Sequence, residues 1–334
     1  MSDPIFHALS FEAVCELLSV PAPTLILFHR NPDGDAVGSA FALKRMLTAM
    51  GSAARCVAPD EVPHRLRFLS DGQESVLPES IPPSFEQART VSVDVASPSQ
   101  LGSLGERFSN RVDLMIDHHR NGTPFADYYI LPDAAATGEI LFSLARRFRE
   151  TGKLPADLRV DSLLYAAISS DTGCFRFSNA TEKTYRAAAD LIANGIDAAE
   201  INHLLFESCS LEQIRAEGAA ISNLGFAAGG RIGYVTFPYA LKVSLGVSDE
   251  HLDTLIDIPR SIEGVRIAFS VRQPTAEGVF RVSVRSACDY DVSALCATFG
   301  GGGHKRAAGC TLEAGSMDAA VKRLIDAINP DEIP

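Results

Sequence analysis

An α/β architecture built on a mostly parallel sheet is predicted by three features of the sequence. Short apolar runs alternate with amphipathic helical segments through the first 195 residues; those runs end in acidic residues or histidine; and the pattern changes to hairpin-like alternation near the C-terminus. Thr24 to His29 is a short apolar run, the signature of a buried strand. A Pro32-Asp33-Gly34 turn follows, then Ala36 to Met50, apolar at helical spacing and stopped by Gly51. Val91 to Val95 and Val112 to Asp117 read as further strands, and Thr137 to Thr151, Leu158 to Ser170 and Thr181 to Asn194 as helices, the last closed by Gly195. In a parallel sheet of this kind ligands bind beyond the carboxyl ends of the strands, where the acidic residues fall.

Residues 196–224 read as a helical connector, and 225–334 as a smaller α+β domain. There Arg231 to Phe237 is a strand. Val265 to Gln273 and Val279 to Ser286 alternate polar and apolar residues around a Glu277-Gly278 turn. A glycine run at Gly300 to Gly303 precedes a final helix, Ser316 to Asn329.

Composition narrows the function. The chain has 334 residues, 46% of them hydrophobic and 22% charged, enough apolar material for packed cores in two domains. No run is long enough to cross a membrane as a helix, and residues 1–9 lack a signal-peptide pattern. The cysteines, at 15, 56, 174, 209, 288, 296 and 310, form no CxxC pair, which predicts reduced thiols and a cytoplasmic protein. A net charge of −12 opposes a long polyanion, so an anionic substrate would be short or held by a local cationic site.

Four segments concentrate metal-ligand chemistry: His29-Arg-Asn-Pro-Asp33-Gly-Asp35, Asp94 in a Val-Ser-Val-Asp-Val strand end, Asp117-His118-His119, and Asp171 in Ser-Ser-Asp-Thr-Gly. Each acid has an ordinary structural alternative: Asp35 as an N-cap, Asp33-Gly34 as a turn, Asp94 as a solvated strand end, Asp171 as a turn cap. The histidines shift the balance, because three of the eight in the chain stand beside aspartates at the ends of predicted strands. Carboxylates with a few imidazoles and no thiolate suit two divalent cations, Mn²⁺ favoured over Mg²⁺, and six ligands with one shared carboxylate suffice for a two-metal site. In the C-terminal domain, alternation sets Phe280, Val282 and Val284 against Arg281, Ser283 and Arg285, an apolar face and one able to offer guanidinium groups to phosphate. The Gly300–Gly303 run could bring backbone N–H groups to an anion, with His304 next to it.

The four segments resemble the motifs of the DHH phosphoesterase superfamily, named for the Asp-His-His found here at 117–119. Val284-Arg-Ser286 and Gly300-Gly-Gly-Gly-His304 resemble its DHH-associated C-terminal domain. Size and domain order are similar to those of the NrnA-like nanoRNases, which degrade very short RNAs and dephosphorylate pAp. The resemblance implies that His29 and Asp33 bind one metal, that Asp35, His118 and Asp171 bind the other, and that Asp94 bridges both. It implies that His119 contacts the scissile phosphate and that Asp117 orients the histidines. It also implies an active site in an interdomain cleft, with Arg285, Ser286, Gly302, Gly303 and His304 holding the far end of the substrate and Arg176 within reach of it. The implied partners are short oligoribonucleotides and pAp, without long nucleic acid or membrane; oligomeric state stays open, a homodimer being one option. The competing readings are a linear or cyclic dinucleotide phosphodiesterase, a RecJ-type exonuclease, and a non-catalytic nucleotide-binding regulator.

Overall fold

A computed structural model describes residues 5–70, 80–108 and 110–333, with the His304 side chain outside the described residues. The chain divides into two compact units, Met1–Ser208 and Cys209–Pro334. The first is built on strands β1 (Thr24–Leu27), β2 (Ala54–Val57), β3 (Arg89–Val93), β4 (Leu114–Asp117) and β5 (Tyr128–Ile130). They lie in the order β2-β1-β3-β4-β5, every neighbouring pair parallel. The helices of this unit are α1 (Phe11–Ser19), α2 (Gly34–Ala49), α3 (Gly105–Phe108), α4 (Thr137–Glu150), α5 (Leu158–Asp171), α6 (Glu182–Ala193) and α7 (Ala198–Asn202).

The sheet is buried on both faces, as parallel sheets are. Ile26 of β1, Val91 and Val93 of β3 and Ile116 of β4 join the core shared with α2, α4, α5 and α6. Leu25, Leu27 and Met115 face the opposite core, with Phe85, Leu101, Leu104 and Phe108. The two-residue side-chain period of each strand therefore supplies two cores from one short run.

The expected strand over 91–95 ends instead at Val93: Asp94 still donates its N–H to Ile116 O at 3.0 Å but adopts φ +59, which turns the chain out of the strand. Such a conformation is costly for a residue with a Cβ and persists where its surroundings over-determine it.

Helices α2, α4 and α5 approach one another closely through small residues. A Cβ on Gly38 of α2 would lie 2.8 Å from the Leu163 carbonyl oxygen of α5, and one on Gly138 of α4 would lie 2.5 Å from Ala167 Cβ. The ends of these three helices meet at the carboxyl edge of the sheet.

The second unit contains a mixed sheet in the order β10-β11-β9-β8-β7-β6. Its strands are β6 (Leu224–Ala227), β7 (Ile232–Phe237), β8 (Ile267–Arg272), β9 (Val279–Ser286), β10 (Gly302–His304) and β11 (Ala307–Glu313). Only the β7–β8 pair is parallel among them. The expected hairpin is β8–β9, and the alternation of β9 is realised: Phe280, Val282 and Val284 are buried in the core and Arg281 is exposed. The glycine run contributes residues to β10, Gly302 pairing with Gly309 and Gly303 with Ala308. Helices α8 (Leu211–Ser222), α9 (Tyr239–Leu245), α10 (Asp257–Arg260), α11 (Val292–Ala297) and α12 (Met317–Ala327) complete the unit. Among the described residues no helix is long and apolar enough to cross a membrane, and all seven cysteines are free thiols.

Substitution of two helical glycines should act in opposite directions. Gly138→Ala forces a methyl into the α4–α5 contact and should cost about 1–3 kcal/mol in chemical denaturation, as overpacked cores do. Gly218→Ala, on α8 with nothing within 4 Å of the added Cβ, should instead stabilise by about 0.5–1 kcal/mol through helix propensity.

Candidate metal centre

Every acid and histidine of the four motifs lies in the first unit, at the carboxyl edge of its sheet. His29 follows β1 by one residue, Asp94 follows β3 directly, and Asp117 ends β4 with His118 and His119 next in sequence. The chain leaves β1 toward β2 on one side and returns to β3 on the other, so the site occupies the topological switch point where α/β sheets bind ligands. Asp33 is the N-cap of α2, its Oδ1 accepting from Ala36 N at 3.0 Å. Asp35 stands in the first turn of α2, and Asp171 is the last residue of α5.

The donors form three overlapping groups: His29, Asp33 and Asp94; Asp35, His118 and Asp171; and Asp94, His118 and His119. His29 Nε2 lies 3.5 Å from Asp94 Oδ2 and 3.8 Å from Asp33 Oδ1. His118 Nε2 lies 3.6 Å from Asp94 Oδ1, 3.8 Å from Asp35 Oδ2 and 3.2 Å from Asp171 Oδ2. The two oxygens of Asp94 thus face different histidines. The opposite nitrogen of each ring is held by a backbone carbonyl, His29 Nδ1 by Arg30 O at 2.8 Å and His118 Nδ1 by Ala134 O at 3.3 Å. In the neutral ring, a carbonyl that accepts from Nδ1–H leaves Nε2 its lone pair, directed toward the carboxylates, the arrangement that presents an imidazole to a cation.

Four carboxylates around two such nitrogens are electrostatically poor company without a cation. Burial pushes Asp35 well above the carboxylate range, and the charges of Asp94 and Asp171 push it further. Asp171 rises to about 6 through burial and through Asp33 and Asp94, against the pull of His118. Asp94 is held below the usual range: burial opposes its ionisation, but His29, His118 and His119 outweigh it. Burial likewise disfavours charge on His29 and His118, yet the surrounding aspartates push both up to about 11. The metal-free site therefore recruits protons to the positions that divalent cations would fill. Donor types, lone-pair directions and charge all fit two divalent cations.

His119 is arranged differently. Its Nδ1 lies 2.7 Å from Asp117 Oδ1, which also accepts from the backbone N–H groups of His118 at 2.8 Å and His119 at 3.3 Å. Asp117 is fully buried beside the His119 ring.

Sequence reasoning did not find the groups that hold Asp35. Its carboxylate accepts from Thr137 N at 2.7 Å, Gly138 N at 2.9 Å and Ser39 Oγ at 2.8 Å. Helix α4 has no side-chain cap of its own at Ala136; Asp35 caps it from α2. The Thr137 hydroxyl reaches Asp94 Oδ1 at 3.1 Å, and Asn179 Nδ2 donates to the Asp171 carbonyl at 3.1 Å. The contacts of Thr137 and Gly138 with Asp35 and of Thr137 with Asp94 join residues from distant elements, and nothing in the local sequence marks them.

The remaining expected residues lie elsewhere. Arg176, in the exposed segment after α5, donates from Nε to Gly173 O at 2.6 Å. In the second unit, Arg285 of β9 sits between Ala307 of β11 and Ala268 of β8, its Nη1 donating to Val284 O at 3.0 Å. Burial lowers its pKa, with Asp257 opposing the change and Arg260 adding to it. The Ser286 hydroxyl is engaged by Cys288, donating to its carbonyl and accepting from its N–H. Gly302 and Gly303 are hairpin residues of β10, and the His304 side chain lies outside the described residues.

Because His29 and His118 are protonated in the metal-free state up to about pH 11, a cation must displace those protons. Apparent Mn²⁺ affinity should therefore rise with pH between 6 and 9, and calorimetry in buffers of different ionisation enthalpy should register net proton release. Uptake without proton release would contradict this electrostatic account.

The model of the DHH family, N-terminal domain, matches residues 23–168, and that of the DHHA1 domain matches residues 236–329. The bifunctional oligoribonuclease and PAP phosphatase NrnA of Thermus thermophilus is 32% identical over 95% of this chain and 93% of its own length. Its namesake from Bacillus subtilis is 28% identical over 90% of this chain and 93% of its own. Among solved structures, an exopolyphosphatase-related protein from Bacteroides fragilis superposes with a TM-score of 0.87 at 22% identity, covering 96% of this chain and 97% of that one, which shows a shared fold. With both domains matched in order and a relative similar along nearly its whole length, the chain belongs to the DHH family.

Proposed function

We propose that this chain is a two-metal phosphoesterase that hydrolyses short oligoribonucleotides to mononucleotides and dephosphorylates pAp to AMP. The observation that carries the reading is Asp94, whose two carboxylate oxygens face separate histidines at 3.5 and 3.6 Å, the disposition of a carboxylate shared by two cations. The full-length similarity to proteins named as oligoribonuclease and PAP phosphatase supports the choice of substrate.

His29, Asp33 and Asp94 would hold one cation, and Asp35, Asp94, His118 and Asp171 the other. Imidazole in both sets favours Mn²⁺ over Mg²⁺. Two divalent cations supply Lewis acidity toward the phosphoryl oxygens and lower the pKa of the attacking water. Asp117 fixes the ring of His119, which contacts the scissile phosphate and steadies the leaving oxygen. The rigid mounting of these groups on strand and helix ends keeps them in place as charge develops, the principal source of catalysis in phosphoryl chemistry. In the second unit, the desolvated guanidinium of Arg285, with Arg260 nearby, favours an anion, and we assign it a phosphate-binding role. A short substrate suits a chain of net charge −12, because few phosphates need neutralising.

The test is mononucleotide release from labelled RNAs of two to about 24 residues, a range that passes the ~4–16 nucleotides of a single-fold binding site. pAp and linear and cyclic dinucleotides are assayed in parallel, all with Mn²⁺. Turnover should fall steeply with length, pAp should be cleaved, and Asp94→Ala should lose at least about a thousandfold in rate, a loss of ~4 kcal/mol in transition-state stabilisation. Cleavage confined to dinucleotides would identify a signalling phosphodiesterase instead. Equal cleavage of the longest RNA would point to a RecJ-like exonuclease, and no turnover by the metal-loaded chain to a nucleotide-binding regulator.

A further inference from the structure

One buried residue touches two of the proposed ligands at once. Thr137, the first residue of α4, is fully buried. Its backbone N–H donates to Asp35 Oδ2 at 2.7 Å, and its hydroxyl donates to Asp94 Oδ1 at 3.1 Å. Asp35 contributes to one donor group, while Asp94 is shared with the others. The hydroxyl does not serve the helix: Thr137 lies inside α4, after the N-cap position occupied by Ala136, and its side chain caps no helical N–H.

The start of α4 is itself firmly placed. Glu139 Oε2 accepts from Ala135 N at 3.1 Å and from Thr184 Oγ1 of α6 at 2.9 Å, and Asn179 Nδ2 donates to Ala135 O at 3.1 Å. Gly138 packs against Ala167 of α5 on the same turn. Thr137 is therefore presented by a firmly placed helix start, with a β-branched side chain restricted at χ1.

Asp94 needs such a partner. Its backbone is in a strained left-handed conformation at φ +59, and the terminal torsion of an aspartate is intrinsically broad. A carboxylate that must keep Oδ2 toward His29 and Oδ1 toward His118 has to be fixed in rotation about that torsion. A single donor at Oδ1, approaching from the protein side, does this.

We infer that Thr137 is a positioning residue for the metal centre: its hydroxyl locks the rotation of the Asp94 carboxylate so that each oxygen serves a different cation. The inference rests on the two-metal reading above. It adds a residue that touches neither cation and whose side-chain hydroxyl, rather than its bulk or helix propensity, is what the site requires. Thr137→Val keeps the shape and the N–H bond to Asp35 but removes the donor to Asp94. Thr137→Ser restores the donor without the methyl.

The experiment titrates Mn²⁺ into the full chain by calorimetry for wild type, Thr137→Val and Thr137→Ser, and records thermal unfolding of each in EDTA. Wild type should take up two Mn²⁺. Thr137→Val should bind at least one of them about 10–100-fold more weakly, the usual consequence of removing an outer partner of a ligand. Its unfolding temperature in EDTA should fall by no more than the several degrees that one lost buried hydrogen bond costs. Thr137→Ser should recover near-wild-type affinity. Thr137→Val binding Mn²⁺ like wild type, or Thr137→Ser failing to recover affinity, would overturn the inference while leaving the metal centre standing. No Mn²⁺ uptake by the wild-type chain would overturn the metal-centre reading and this inference with it. Should Thr137→Val fail to fold, the comparison of Thr137→Ala with Thr137→Ser reads the same hydroxyl.

Discussion

The first unit depends on a single buried carboxylate. Asp35 has no exposure to solvent, and it accepts from the first two N–H groups of α4 and from Ser39 of its own helix. A fully buried carboxylate is tolerable only when hydrogen-bonded and charge-compensated. The N-terminus of α4 supplies part of that compensation through unpaired N–H groups and the helix dipole. The same bond closes the start of a helix that lacks a cap of its own. Helix placement and the orientation of a proposed ligand are one interaction, so neither can shift without the other.

Close packing makes that interaction geometrically feasible. Gly38 and Gly138 bring α2 and α4 against Leu163 and Ala167 of α5 at distances a side chain would forbid. Asp171, at the end of α5, is thereby carried to the same place as Asp35. The strands bring the other half of the site: parallel pairing sets the ends of β1, β3 and β4 side by side, and with them His29, Asp94 and His118. The site is where three helix ends and three strand ends converge, and the left-handed backbone of Asp94 turns its carboxylate into that space.

The second unit follows a different economy. Strand β9 alternates, burying Phe280, Val282 and Val284 and leaving Arg281, Ser283 and Arg285 on the opposite face. Burial lowers the pKa of Arg285, with Arg260 adding to the shift and Asp257 opposing it. Ser286, by contrast, spends its hydroxyl on the turn at Cys288.

Much of this was legible in the sequence. Apolar runs such as Thr24 to His29 announce strands because a buried parallel strand needs both faces apolar, and the alternation over Val279 to Ser286 announces a half-buried one. The aspartates and histidines at the run ends announce a cation site because those residue types at strand ends have few other joint uses. Residue order alone also carried the family resemblance. What it could not supply were relations between distant segments: that Asp35 caps α4, that Thr137 bonds Asp94, that Asp94 departs from its strand, or that the glycine run enters a hairpin with β11. Propensity and spacing act over a few residues, whereas these contacts span from five to 103 positions and form only once packing has fixed which surfaces meet. The sequence by itself determined the elements, the ligand chemistry and the charge; the tertiary structure decided which lone pairs face one another, because that follows from the relative placement of whole helices and strands.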